Sequence, residues 1–203
     1  MEAKFKTLEY SKDKNLKIYI VDDFFDYSEK FKFYTFALNS QFKFNRGNSN
    51  LPEDKVNKYQ LASVYNDELL REFGLFKKIK NILSSLSLDN FFIGNSKVNA
   101  CNSFDVYDYH IDCLNPTSMS ILYYLNMTWN SEWEGDTKFS YLNSDEVFYS
   151  SNFKPGRIII FNSCIPHKSS PPSTKAPFTR FSFSSTLREF NQSSHASVED
   201  ITK

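Results

Sequence analysis

The rhythm of apolar and polar positions changes near residue 95. Before it, Lys17-Ile18-Tyr19-Ile20-Val21 is a short β-branched and aromatic run stopped by Asp22-Asp23, which predicts a strand. Tyr27 to Leu38 spaces its apolar and aromatic residues like a helix packed on a sheet. From Asp67 to Leu86, residues Leu69, Leu70, Phe73, Leu75, Phe76, Ile79, Ile82 and Leu83 give a second helix a broad apolar face. Residues 44–60 are polar and turn-rich and read as a mobile loop. After residue 95 the pattern predicts short strands over 97–109, 118–125, 136–142, 146–151, 156–162 and 178–187. Asn115-Pro116, Lys154-Pro155-Gly156 and Ser170-Pro171-Pro172-Ser173 mark turns between them. Helices first and closely spaced strands after them predict a mainly β (α+β) fold, a double-stranded β-helix or jelly roll with flanking N-terminal helices. We expect one domain over 1–190, its jelly-roll core at about 97–187, and a polar tail over 191–203.

Composition narrows the partners. Lys plus Arg and Asp plus Glu both number 24, so the 203-residue chain has no net charge and lacks a basic footprint for nucleic acid. Twenty-one Phe and 12 Tyr against 5 Gly suit an aromatic β interior. Cys101, Cys113 and Cys164 are unclustered and fit reduced thiols in a cytoplasmic protein. The N-terminus has no apolar stretch of signal-peptide type and no run reaches transmembrane length, so no membrane association is expected. Oligomeric state is left open.

Chemistry concentrates in the histidines, of which the chain has 3. His195 lies in the tail and reads as a bystander. His110-Ile111-Asp112 places an imidazole and a carboxylate at i and i+2, on one face if the segment is a strand end. With 24 acidic residues in the chain, that pairing carries little weight by itself. His167 follows the buried run Arg157-Ile158-Ile159-Ile160-Phe161 and can be delivered from a second strand. Two imidazoles and one carboxylate leave several positions open on a metal, the donor set of non-haem Fe(II) oxygenases. Downstream, Arg180 stands among Phe178, Phe181 and Phe183, in what reads as a buried strand where an unpaired guanidinium would be expensive.

The surrounding motifs come in a fixed order. Tyr107-x-x-His110-x-Asp112 is followed by Ile121-Leu122-Tyr123-Tyr124-Leu125-Asn126-x-x-Trp129. Glu132-Trp133-Glu134-Gly135-Asp136-Thr137-x-Phe139, Lys154-Pro155-Gly156-Arg157, Pro166-His167 and Arg180-x-Ser182 complete the series. From about residue 97 to 187 this resembles the prolyl-4-hydroxylase-like branch of the 2-oxoglutarate/Fe(II)-dependent dioxygenases. Glu134-Gly135-Asp136 departs from the family's frequent Gly-Gly-Glu, giving a one-Gly turn.

The resemblance implies Fe(II) on His110, Asp112 and His167. It also implies that 2-oxoglutarate and O2 fill the remaining positions as co-substrates. Arg180 would then hold the distal carboxylate, because its planar fork binds carboxylates bidentately and keeps its charge when desolvated. Ser182, at i+2, shares its face. Tyr124 and Tyr107 are the phenols placed to assist. The carboxylate at Asp112 implies hydroxylation of an unactivated C–H bond rather than halogenation. A prolyl or other protein or peptide side chain is the leading substrate. A free amino acid, sugar or other small metabolite is the alternative, and a non-catalytic metal-binding jelly roll a third reading. Nucleic-acid dealkylation fits poorly, since Arg188 lies too far beyond Arg180.

Overall fold

The computed structural model describes residues 2–12, 14–44, 61–65 and 74–189. Most of the expected loop over 44–60, the start of the second expected helix and the polar tail with His195 lie outside them. In chain order the elements are β1 (Lys4–Ser11), β2 (Leu16–Asp22), α1 (Tyr27–Leu38), β3 (Lys43–Phe44), β4 (Leu61–Tyr65) and α2 (Leu75–Ser85). Then come β5 (Phe91–Cys101), β6 (Met119–Tyr124), β7 (Thr137–Ser140), β8 (Val147–Ser151), β9 (Ile158–Asn162), β10 (His167–Ser169) and β11 (Arg180–Glu189). Two antiparallel sheets result, one ordered β1-β2-β9-β6-β11-β5-β4-β3 and the other β10-β7-β8. The fold is the expected jelly roll with helices before it.

Helix α1 begins where its chemistry dictates. Asp26 caps it by accepting from the Glu29 N–H at 2.8 Å, and the Glu29 carboxylate accepts from the Asp26 N–H at 3.1 Å. This reciprocal capping box satisfies two otherwise orphaned donors. The second expected helix is shorter than its apolar pattern suggests. Gly74 takes a left-handed φ of 72° and stops any helix running through it, so α2 starts at Leu75.

The expected strand over 97–109 also needs correction. β5 opens earlier, at Phe91, and ends at Cys101, where the Asp105 carboxylate accepts from the Asn102 N–H at 2.7 Å and turns the chain. His110 and Asp112 therefore do not share a strand: His110 makes a single β-bridge with His167, and Asp112 lies in a bend. β1, β4 and β10 were not expected either. β1 is an edge strand of mostly exposed residues, so it lacks the apolar alternation that marks a strand. The sheet consequently reaches well upstream of residue 97, with β2 paired to β9.

Alternation along the central strands divides the interior. Ile121 and Tyr123 of β6, Ile158 and Ile160 of β9, and Phe181 and Phe183 of β11 join Phe33, Ala37, Ile79 and Ile82 of the helices in one apolar cluster. The opposite faces meet the smaller sheet, where Leu122, Tyr124, Phe139, Ile159 and Phe161 form a second cluster. β11 breaks this pattern, because its residues facing the smaller sheet are Arg180, Ser182 and Ser184. The inter-sheet space is thus apolar under β9 and polar under β11. Arg157, read from sequence as structural, holds the frame together through two bonds to Asp22, Nε to Oδ1 at 2.8 Å and Nη2 to Oδ2 at 2.9 Å.

Candidate metal centre

His110, Asp112 and His167 offer donor atoms that all lie within 4.8 Å of one another. Backbone bonds bring them together. The His110 N–H donates to the His167 carbonyl at 3.0 Å, and the His167 N–H donates back at 2.9 Å. The Asp112 N–H donates to the Ser163 carbonyl at 2.9 Å. The Asp112 side chain is held by the Ser120 hydroxyl, itself 2.9 Å from the Ser163 hydroxyl.

Both rings are oriented by carbonyl oxygens. His110 Nδ1 lies 3.2 Å from the Asp108 carbonyl, and His167 Nδ1 lies 3.0 Å from the Ile165 carbonyl. A carbonyl only accepts, so each Nδ1 carries the hydrogen and each Nε2 keeps a free lone pair. These Nε2 atoms face the two Asp112 oxygens at 3.7 and 3.6 Å. Two imine nitrogens and a carboxylate converging with fixed tautomers suit a divalent metal.

The cluster opens to solvent on the His110 side, where 44 % of that side chain is exposed, against 10 % for His167. Although the His110 ring keeps this open edge, burial of the rest and the neighbouring His167 push its pKa below the ordinary range. Burial works against ionisation of Asp112, but the two imidazoles and the Ser120 hydroxyl outweigh it and hold the carboxyl below its usual range. A neutral His110 and an ionised Asp112 are the forms that ligate metal.

Deeper in the same space lies Arg180, 1 % exposed. Its Nε donates to the Gly135 carbonyl at 2.7 Å, Nη2 to Thr137 Oγ1 at 3.3 Å and Nη1 to Ser182 Oγ at 3.4 Å. Its guanidinium carbon sits 5.3 Å from the Tyr124 ring centre and 5.0 Å from that of Phe153. Among the described residues no carboxylate pairs with it. A buried cation supported only by neutral groups leaves a large desolvation cost uncompensated unless an anion joins it.

Tyr124 packs against this cation, and Tyr107 lies near enough to feel its charge. Tyr124 is fully buried and donates to Thr137 Oγ1 at 2.8 Å. Tyr107 is buried with its hydroxyl unpartnered among the described residues. Burial, then the neighbouring Cys101, push the Tyr107 phenol above its ordinary range, so it remains a donor. Sequence reasoning missed Ser120, Ser163 and the role of Gly135. A serine inside the wholly buried strand Met119–Tyr124 was the available signal for Ser120.

The one-Gly turn explains itself here. A Cβ on Gly135 would sit 3.2 Å from Arg180 Cδ and 3.3 Å from Trp129 Cζ2, and its φ is 85°. Glu134 before it adopts φ 57° and ψ −137°, a region costly for any side chain. Glu134→Gly is therefore expected to stabilise the protein by about 1 kcal/mol in chemical denaturation, after allowing for glycine's extra unfolded-state entropy. A loss of stability would show that the Glu134 side chain compensates its backbone.

Residues 97–188 match the family model of the 2OG-Fe(II) oxygenase superfamily. Fold, donor cluster and this match define a dioxygenase that uses Fe(II) with 2-oxoglutarate and O2 as co-substrates. Over residues 97–188, a little under half of its length, the chain is similar to the 2-oxoglutarate/Fe(II)-dependent dioxygenase superfamily. No curated protein matches the chain. Solved structures extend the likeness over most of its length. A Trichoplax adhaerens prolyl hydroxylase, in complex with a hypoxia inducible factor oxygen degradation domain peptide fragment, is 23% identical with a TM-score of 0.60, covering 85% of this chain and 83% of its own. A Pseudomonas putida prolyl-4-hydroxylase is 12% identical with a TM-score of 0.58, covering 91% of this chain and 92% of its own. EctD from S. alaskensis, solved with 2-oxoglutarate and 5-hydroxyectoine, is 15% identical with a TM-score of 0.59, covering 85% and 72%. At these identities the structures speak to the fold alone. Among the described residues no helix is long and apolar enough to cross a membrane.

Proposed function

We propose that this single oxygenase domain hydroxylates an unactivated C–H bond, of a prolyl or other side chain in a protein or peptide. His110, Asp112 and His167 hold Fe(II), and Arg180 holds the distal carboxylate of 2-oxoglutarate with Ser182, Tyr124 and Tyr107 beside it. The observation that carries this reading is the buried Arg180 without a carboxylate partner among the described residues, in the same inter-sheet space as the three donors. When bound, iron with 2-oxoglutarate and O2 supplies the oxidant, and 2-oxoglutarate leaves as succinate and CO2.

The chain's own residues bind and orient. Asp112 supplies the one anionic donor, while the Asp108 and Ile165 carbonyls keep both imidazoles in the ligating tautomer. Arg180 neutralises the far carboxylate, and Phe153 and Tyr124 shield that pair from water. Tyr107 brings an unused O–H to the same pocket.

The test is succinate release from purified protein given Fe(II), 2-oxoglutarate and O2, with candidate peptides and free amino acids as separate additions. Stimulation by proline peptides but not by free amino acids supports the peptide reading. Stimulation by small metabolites alone replaces it with the metabolite alternative. Absence of both 2-oxoglutarate turnover and anaerobic 2-oxoglutarate binding sinks the assignment of these residues.

A further inference from the structure

Both oxygens of Asp112 face the imidazoles at nearly the same range. Oδ1 lies 3.7 Å from His110 Nε2 and Oδ2 lies 3.6 Å from His167 Nε2, so distance favours neither. Hydrogen bonding separates them. The Ser120 hydroxyl reaches Oδ2, and among the described residues no hydrogen bond reaches Oδ1.

The hydroxyls behind this contact form a chain with a fixed direction. An ionised carboxylate only accepts, so the single Ser120 hydroxyl hydrogen goes to Asp112. Ser120 then has no second hydrogen for Ser163 Oγ, 2.9 Å away, and Ser163 must be the donor between them. Bonds in such a series polarise one another, so the donation from Ser163 strengthens the bond that Asp112 receives. Water cannot stand in for either hydroxyl, because Ser120 is 2% exposed and Ser163 is fully buried.

Ser163 is set in place without its side chain. Its N–H donates to the Ser118 carbonyl at 2.8 Å, and its own carbonyl accepts from the N–H groups of Asp112 at 2.9 Å and Cys113 at 3.3 Å. One residue thus anchors Asp112 twice, at the backbone directly and at the carboxylate through Ser120. Only the second anchor depends on the Ser163 hydroxyl.

A metal that must also take 2-oxoglutarate and O2 needs its protein donors fixed, since rotation of the Asp112 carboxylate would move the positions left open. We propose that Ser163 and Ser120 are positioning residues, a serial two-hydroxyl relay that locks the carboxylate by Oδ2 and leaves Oδ1 turned to the metal. The inference rests on the reading of Asp112 as a metal ligand above.

Titration of Co(II), a spectroscopic stand-in for Fe(II), into the metal-free protein tests it, beside urea denaturation of the same samples. Ser120→Ala should weaken binding about 10–100-fold, the usual loss when a ligand's outer partner is removed. Ser163→Ala should weaken it about two- to fivefold, the scale of polarisation along a hydrogen-bonded chain. Because the relay is serial, Ser163→Ala should add nothing once residue 120 is alanine. The visible absorption of bound Co(II), which reports ligand geometry, should change in Ser120→Ala and return in Ser120→Thr, which keeps the hydroxyl. An unchanged affinity and spectrum in Ser120→Ala, or a Ser163→Ala effect that persists in full without Ser120, would overturn the proposal. So would stability lost in urea with Co(II) binding intact, which would make both serines packing residues. Should Ser120→Ala not fold, Ser163→Ala decides alone, and unchanged affinity there overturns the relay. Unaltered protein that takes up no Co(II) defeats the metal reading underneath, whereas uptake indifferent to both serines defeats this inference only.

Discussion

Exchanging Asp112 for alanine is expected to weaken Fe(II) binding more than about 100-fold and to abolish 2-oxoglutarate turnover with it. The side chain is the single carboxylate in a cluster whose other donors are imidazoles. Two imidazoles alone give a divalent metal neither its charge neutralisation nor its third fixed donor. The size of the loss follows from comparison, since removing even an outer hydrogen-bond partner of a ligand commonly costs 10–100-fold in affinity. The fold should survive, because the backbone N–H of residue 112 still bonds Ser163 and 27 % of the Asp112 side chain is exposed. Calorimetric titration with Fe(II) under anaerobic conditions and thermal melting of the same samples separate the two effects. Iron retained at full stoichiometry and affinity would remove Asp112 from the ligand set.

The second large effect is on Arg180→Gln, with opposite consequences for binding and folding. Breaking a buried pair by removing its cation costs about 3–5 kcal/mol, which is roughly two to three and a half orders of magnitude in 2-oxoglutarate affinity. Without co-substrate the same change removes a buried charge supported only by neutral groups. Stability then should change by no more than about 1 kcal/mol, the net worth of the bond to the Gly135 carbonyl. Arg180→Lys should not restore affinity, because an ammonium cannot bridge Gly135, Thr137 and a carboxylate in one plane. Anaerobic 2-oxoglutarate titration beside urea denaturation checks both halves. Unchanged affinity with lost stability would make Arg180 a structural residue.

Much of the fold was legible because its signals are local. Asp26 and Glu29 mark the start of α1, and the apolar run over Ile158–Phe161 forms a central strand wherever it is buried. The donor cluster was legible through the order of its motifs, but the route by which it assembles was not. His110 and Asp112 were expected on a strand because i, i+2 spacing suits one. The Asp105 turn takes them off the sheet, and long-range bonds to His167 and Ser163 restore convergence. Ser120 and Ser163 were illegible for the same reason, since 43 residues separate two hydroxyls that meet beside one carboxylate. β1 could not be read because an exposed edge strand needs no apolar alternation.

The bonds around Thr137 also have a direction. Its Oγ1 accepts from Tyr124 and from Arg180, which occupies both lone pairs and leaves only its hydrogen to give. Ser182 Oγ accepts from Arg180 as well, and Tyr107 carries an unspent O–H. The cavity wall around the guanidinium therefore presents hydrogens rather than lone pairs. A guest with acceptors on both oxygens satisfies such a wall, whereas a carboxamide of the same shape turns its own N–H groups against it. Discrimination between an acid and its amide is thus written in bond polarity, with no steric difference between the two.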